Sequence, residues 1–117
     1  MKTRKVLIVD DDEFIREQLG RELKRQYCET FLAANGKEGE EIFSRESIDI
    51  LLLDINLPDV SGLEFLKKCK EQRPVCQIII ITGYGSEEIA IQSLRRGAID
   101  YLEKPIDLEI LTASLGR

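Results

Sequence analysis

The sequence predicts a single doubly wound α/β domain, (βα)5, in which helices cover both faces of a five-stranded parallel sheet. Short apolar runs alternate five times with charged segments that have helical spacing, and this repeated order is typical of a parallel sheet. A chain of 117 residues is long enough for one hydrophobic core and too short for two. We therefore predict that residues 1–117 form one domain.

The five apolar runs are the predicted strands. The second, third and fourth runs, "ETFLAA", "DILLLD" and "QIIIIT", contain consecutive apolar residues, and we expect these strands to be buried on both faces. In chain order the predicted strands are residues 5–9, 29–34, 49–54, 77–82 and 99–103.

Capping residues mark the starts of the first three helices. Asp12 and Asn35 each precede a segment with helical spacing, and Ser61 with Glu64 forms a capping-box pattern. In such a box each side chain satisfies an amide group at the start of the helix. Asn35 with Glu38 resembles the same pattern. The apolar positions of the first and third helices are Ile15, Leu19, Leu23, Leu63, Leu66 and Cys69.

The last two helices have similar start signals, Ser86 and Asp107. Gly97 is predicted to end the fourth helix, because glycine readily adopts the left-handed conformation that follows a helix C-terminus. The segment available for the fifth helix after Pro105 is "DLEILTASLGR". We therefore predict that this helix is short.

Right-handed crossovers leave few ways to order these strands, and the common five-stranded arrangement is the flavodoxin-like order 2-1-3-4-5. In this order, strand 2 is added on one side of strand 1 and strands 3, 4 and 5 on the other, so the order of the strands reverses direction between strands 1 and 3. Open α/β sheets bind their ligands at such a point, outside the carboxyl ends of the strands. We therefore expect the functional site there.

Polar residues stand at the carboxyl ends of four predicted strands. Each one alone is explained as a cap, a turn residue or a solvated side chain. Together they would bring three carboxylates, a hydroxyl and an ammonium group to one crevice. The five residues, in chain order, are Asp10, Asp11, Asp54, Thr82 and Lys104.

Three converging carboxylates repel one another unless a cation lies between them. Oxygen ligands suit Mg²⁺, and the absence of histidine argues against zinc or copper. We predict a Mg²⁺ site, with Mn²⁺ as the second choice, held by Asp10 and Asp11. A carboxylate beside such a metal can accept a phosphoryl group, and Asp54 is the predicted nucleophile because it ends the central strand. Thr82 and Lys104 would compensate charge on the phosphoryl oxygens.

Composition excludes several other functions. Without histidine the chain cannot contain a Ser-His or Cys-His nucleophile pair. Its three cysteines form no C-x-x-C pair and are predicted to be buried thiols. A net charge of -5 disfavours direct contact with nucleic acid or an anionic membrane. Since no apolar run approaches the ~20 residues of a membrane helix, we expect a cytosolic location.

In this order, the strand-end residues resemble those of the receiver (phosphoacceptor) domain of two-component response regulators. The matching segments are "LIVDDD", "LLLDINLPDVSG", "IIITGYGS" and "GAIDYLEKP". The resemblance runs from about residue 5 to the C-terminus, and the four segments together are highly specific.

The resemblance implies a role for each residue of the metal site. Asp54 would be the phosphoacceptor. Asp11 and Asp54 would be carboxylate ligands of Mg²⁺, the main-chain carbonyl of Asn56 would be a third ligand, and Asp10 would assist through water.

The resemblance also implies which residues respond to phosphorylation. Thr82 and Lys104 would contact the phosphoryl oxygens, and Tyr101 matches the aromatic residue that changes rotamer when Thr82 moves. The peptide bond before Pro105 would be cis, an isomer that proline tolerates far better than other residues. Asn56 and Tyr84 match positions that influence the lifetime of the acyl phosphate.

By the same resemblance, the phosphoryl group would come from a sensor histidine kinase or a histidine phosphotransfer protein. The added charge would change the surface of helix 4, strand 5 and helix 5, which an output domain or downstream protein would recognise. The domain would assist its own phosphorylation and dephosphorylation without being an enzyme. The chain is either a stand-alone receiver or, as we favour, one domain of a longer regulator with an output domain beyond the C-terminus. Homodimerisation on phosphorylation is a further possibility.

Three other functions fit parts of the pattern. A Mg²⁺-dependent phosphatase of the haloacid-dehalogenase type also uses an aspartate nucleophile, but it needs a D-x-D motif after its first strand and usually a cap domain. A receiver-like adaptor would bind partners without accepting phosphate. A flavodoxin-type cofactor domain would need a phosphate-binding loop where this chain has three aspartates.

Overall fold

The computed structural model describes residues 3–83 and 85–115. Five strands form one parallel sheet in the order β2-β1-β3-β4-β5, which confirms the predicted doubly wound fold. In chain order the elements are β1 (Lys5–Val9), α1 (Glu13–Arg25), β2 (Glu29–Ala33), α2 (Gly36–Arg45), β3 (Ile50–Asp54), α3 (Gly62–Gln72), β4 (Gln77–Thr82), α4 (Glu87–Arg95), β5 (Asp100–Glu103) and α5 (Leu108–Leu115).

The core has two layers because successive residues of a strand point to opposite faces of the sheet. Along β1, Leu7 and Val9 face the layer that contains residues of α2 and α3, such as Phe43 and Leu66. Alternate residues of the same strand face the layer beneath α1 and α5. This second layer contains Val6, Ile8, Leu19, Leu23, Leu111 and Leu115.

The second strand corrects one prediction. All of β3 is buried, and so is β4 except for Gln77, as the sequence predicts. In β2, however, Glu29 and Leu32 are exposed and only Ala33 is fully buried. Burial on both faces was the wrong prediction for β2, because this strand lies at the edge of the sheet and the helices cover the central strands more completely.

All five predicted helix caps are confirmed, and each contributes about 1 kcal/mol to the stability of its helix. In each case a side-chain oxygen accepts a hydrogen bond from an N–H group in the first turn. Gly97 follows α4 with φ of 111°, as predicted for the end of that helix. The cap and donor pairs are Asp12 with Ile15, Asn35 with Glu38, Ser61 with Glu64, Ser86 with Ile89, and Asp107 with Glu109 and Ile110.

The cysteines are free and buried, as predicted. Burial raises the pKa of Cys69 to about 12 and that of Cys76 to about 11, so both thiols stay protonated at neutral pH. Among the described residues, none of the helices has the length and apolar composition needed to span a membrane.

Candidate functional site

The register of the sheet brings four strand ends to one edge. Val9 pairs with Leu53, so the residues that follow them, Asp10 and Asp54, lie side by side. On the other side of β3, Asp54 pairs with Ile81. Thr82 then pairs with Glu103, the last residue of β5. The N–H group of Lys104, directly after β5, donates to the Thr82 carbonyl at 2.8 Å.

The site opens through a cleft of about 470 Å³. The residues that line it are Asp11, Asp12, Asp54, Asn56, Gly83 and Lys104. Asp10 and Thr82 are fully buried, and they contact the cleft residues Lys104 and Asn56, respectively. The structure therefore brings together all five residues that the strand ends predicted, but only three of them reach the cleft surface.

Asp10, Asp11 and Asp54 form an acidic cluster. One carboxylate oxygen from each residue lies within 4.8 Å of the other two. Asp10 and Asp54 are buried, whereas Asp11 is exposed at the mouth of the cleft. The donor set consists of hard oxygen atoms, so the residues present fit a divalent cation of the Mg²⁺ type.

Lys104 neutralises the two buried carboxylates. Its Nζ lies 2.7 Å from Asp10 Oδ2 and 3.0 Å from Asp54 Oδ2. Burial opposes the charge on Lys104, but the hydrogen bonds to Asp10 and Asp54 outweigh it and raise the pKa of the ammonium group. For Asp10, in contrast, burial raises the pKa, and the contact with Lys104 only partly offsets this effect. Lys104 is therefore charged at neutral pH.

The Asp54 carboxylate is held from both sides. The N–H group of Asn56 donates to Oδ1 at 2.9 Å, and Lys104 donates to Oδ2 at 3.0 Å. The side chain of Asn56 also donates from Nδ2 to Thr82 Oγ1 at 3.0 Å. Asn56 thus connects the carboxylate of β3 with the hydroxyl of β4.

Two contacts fix the turn between β1 and α1. The Asp12 N–H group donates to Asp10 Oδ1 at 2.9 Å. The guanidinium group of Arg16 donates to the main-chain carbonyl of Asp10 at 2.7 Å. The sequence analysis did not predict a role for Arg16. The available signal was its place in the first turn of α1, three residues after Glu13.

Tyr101 lies next to Thr82 in a space that Gly85 leaves open. A Cβ atom on Gly85 would collide with the Tyr101 hydroxyl. This hydroxyl is buried and has no hydrogen-bond partner among the residues that the structure describes, and burial raises its pKa. The peptide bond between Lys104 and Pro105 is cis, as predicted. Tyr84 lies outside the described residues.

Comparison with known proteins agrees with this geometry. The family model of the response regulator receiver domain matches residues 6–116. The response regulator protein PilR of Pseudomonas aeruginosa is 44% identical over 108 residues, which make up 92% of this chain and 24% of PilR. The chain thus spans about a quarter of the length of this curated relative.

Solved structures show the same fold. A CheY-like receiver domain protein from Methanospirillum hungatei JF-1 aligns with a TM-score of 0.94 at 35% identity, covering 98% of this chain and 92% of that chain. A response regulator protein from Burkholderia pseudomallei was crystallised with a phosphorylated aspartic acid, a calcium ion and citrate. It aligns with a TM-score of 0.90 at 30% identity and covers 96% of this chain and 66% of that chain. With a family match over nearly its whole length, this chain belongs to the response regulator receiver domains.

Proposed function

We propose that Asp54 is the phosphoacceptor of this receiver domain and that its phosphorylation switches a two-component signalling protein. One observation carries the proposal: a buried strand-end carboxylate lies against Lys104 and within 4.8 Å of two further carboxylates. The phosphorylated aspartic acid of the Burkholderia pseudomallei protein supports it. The matches give no support to the phosphatase alternative.

The metal that we propose is Mg²⁺, with Mn²⁺ as an alternative. Asp11 and Asp54 would hold it together with the Asn56 carbonyl, and Asp10 would assist. When bound, Mg²⁺ supplies positive charge that offsets the clustered carboxylates and the phosphoryl oxygens. The calcium ion in the Burkholderia pseudomallei structure supports a divalent cation.

In the proposed reaction an Asp54 carboxylate oxygen attacks phosphorus. The new O–P bond forms as the bond between phosphorus and the imidazole nitrogen of a phosphohistidine breaks. Asp54 needs no proton transfer, because it reacts as the carboxylate and Lys104 donates to it without giving up a proton. Lys104 and the Thr82 hydroxyl then compensate charge on the phosphoryl oxygens, which is the main requirement of phosphoryl transfer.

Phosphorylation would raise the negative charge at Asp54 to about -1.5 to -2. We infer that Thr82 then exchanges its contact with Asn56 for one with the phosphoryl group and that Tyr101 moves towards the vacated space. The buried Tyr101 hydroxyl without a described partner supports this movement. The change would reach the surface of α4, β5 and α5, where Ile91, Leu94 and Ile110 are exposed.

We propose that the phosphoryl donor is a sensor histidine kinase or a histidine phosphotransfer protein. The surface of α4, β5 and α5 would contact an output domain or a downstream protein, or a second copy of the chain after phosphorylation. The length of PilR, about four times the matched segment, supports an attached output domain. Sequencing the gene beyond residue 117 tests this part, and a cytosolic location is expected for the whole protein.

We further propose that the domain assists its own phosphorylation and dephosphorylation. Asn56 supports this because its main-chain N–H group contacts Asp54 and its side chain contacts Thr82, so that this side chain would be near a phosphoryl group on Asp54. Following the decay of the phosphorylated protein alone, with and without Mg²⁺, tests the proposal. Decay that is no faster than that of a small acyl phosphate would contradict it.

Phosphorylation by a small donor tests the proposed acceptor. Incubation with acetyl phosphate and Mg²⁺ should add about 80 Da, the mass of one phosphoryl group, and hydroxylamine should remove it. The variant Asp54→Asn should gain no mass under the same conditions, whereas Asp49→Asn, outside the site, should behave as the wild type. A mass gain that persists in Asp54→Asn would overturn the assignment.

A further inference from the structure

Asp59 makes two main-chain contacts outside its own loop. It lies in the β3–α3 loop, residues 55–61, and its side chain is exposed. Nevertheless, Oδ1 accepts a hydrogen bond from the Gly36 N–H group at 2.8 Å, and Oδ2 accepts one from the Lys37 N–H group at 3.0 Å. The bond from Gly36, followed by that from Lys37, lowers the pKa of the carboxyl group despite partial desolvation. Asp59 therefore binds the start of α2 as a carboxylate.

These contacts complete the N-terminus of α2. The first amides of a helix lack partners within the helix. In α2 the N–H group of Glu38 donates to the side chain of Asn35. The N–H groups of the two preceding residues, Gly36 and Lys37, donate to Asp59. A carboxylate at this position also interacts favourably with the helix dipole. One helix end is thus capped by two residues, of which only Asn35 is local in sequence.

The loop that carries Asp59 is itself tightly closed. Asn56 forms an isolated antiparallel bridge with Ser61. Gly62 packs so closely on Ile55 that a Cβ atom would meet the Ile55 carbonyl oxygen. Val60 in turn packs directly against Gly36 at the start of α2. Asp59 is therefore joined to Asn56 by a short loop that the Asn56–Ser61 bridge closes.

We propose that Asp59 is a positioning residue that holds the main-chain carbonyl of Asn56 in place for the metal. This proposal rests on the proposed function, in which that carbonyl is a ligand. Asp59 fastens the loop to α2, and α2 packs on the sheet through Phe43, so the carbonyl has a rigid support. Loss of residues that orient a metal ligand typically weakens metal binding by 10- to 100-fold.

The test compares three variants of the full chain by isothermal titration calorimetry with Mg²⁺, well below their melting temperatures. Asp59→Ala should bind Mg²⁺ more weakly by on the order of tenfold. Asn35→Ala is the matched control, because it removes a cap from the same end of α2 without touching the β3–α3 loop. It should lower the melting temperature but leave the Mg²⁺ affinity within about twofold of the wild type. Asp59→Asn keeps one acceptor oxygen and should be intermediate.

Phosphorylation by acetyl phosphate gives a second measurement. Because the defect lies in metal affinity, the rate of Asp59→Ala should approach the wild-type rate at saturating Mg²⁺. Unchanged Mg²⁺ affinity in Asp59→Ala, or an equal loss in Asn35→Ala, would overturn the positioning role alone. A wild-type chain that does not bind Mg²⁺ would overturn the proposed function as well.

Discussion

Lys104 has to be understood together with the two carboxylates that it contacts. Its side chain is 17% exposed, and the side chains of Asp10 and Asp54 are 0% and 5% exposed. Two charges buried this deeply are tolerated only when a counter-charge is near. The ammonium group supplies that charge when no metal is bound, and a divalent cation would take over part of its role. A metal held by these carboxylates would therefore compete with Lys104 for their negative charge.

This competition predicts the behaviour of Lys104→Met. Without Mg²⁺ the variant should lose about 1–3 kcal/mol of unfolding free energy, because two buried carboxylates lose their counter-charge. Mg²⁺ should restore part of the loss and should bind more tightly than to the wild type, while phosphorylation by acetyl phosphate becomes slower. Urea denaturation with and without Mg²⁺ measures the stability.

The control for this variant is Lys68→Met. Lys68 forms an ion pair with Glu40, but both side chains are more than half exposed, and such surface pairs contribute little. Its unfolding free energy should change by less than about 0.5 kcal/mol. A loss in Lys104→Met that is the same with and without Mg²⁺ would show that Lys104 does not compete with the metal.

Among the elements, the strands differ in how much of their side-chain surface the helices cover. Leu52 in central β3 is fully buried, whereas Leu32 in edge strand β2 is 41% exposed. Replacing Leu52 with alanine should cost about 2–5 kcal/mol. The same change at Leu32 should cost about 1 kcal/mol or less, since much of that side chain already contacts water. Chemical denaturation of both variants measures the difference, and equal losses would contradict the edge position of β2.

Glu46, directly after α2, connects this helix to β1. It pairs with Lys5 at 3.1 Å and with Arg45 at 3.3 Å. These hydrogen bonds, that from Lys5 first, lower the pKa of Glu46 from its ordinary value of 4.5. Since the folded state favours the charged form, Glu46 stabilises the fold above pH 4.5 and loses this contribution as the pH falls through its lowered pKa.

The variant Glu46→Gln should therefore be less stable than the wild type at pH 7. The difference should shrink at pH 3 and in high salt, because acid neutralises Glu46 and salt screens the pair. Urea denaturation at the two pH values measures this change, with Glu40→Gln as an exposed control. A difference between variant and wild type that is the same at both pH values would contradict the ion-pair explanation.

For the molecule as a whole, the sequence predicted the strand order and the composition of the site for one reason. Parallel strands all end at the same edge, so residues 10, 54, 82 and 104 had to converge once the βα order was recognised. The caps were predictable because they depend on neighbours within three residues. Both predictions use local sequence together with a rule of topology.

The remaining contacts could not be predicted because they join segments far apart in sequence. The bond from Asn56 to Thr82 and the two ion pairs of Lys104 depend on the directions of side chains that different elements and loops carry. The capping of α2 by Asp59 spans more than twenty residues. The exposure of β2 was mispredicted for a different reason: an apolar composition does not show how far the helices extend over the edge of a sheet.

Locating the phosphorylated residue is the direct test of Asp54 as the phosphoacceptor. After reaction with acetyl phosphate and Mg²⁺, borohydride reduces an aspartyl phosphate to homoserine, which tandem mass spectrometry can locate in a peptide. We predict homoserine at residue 54 and at no other position. Homoserine at Asp10, Asp11, Asp12 or Asp59, with Asp54 unchanged, would contradict this prediction.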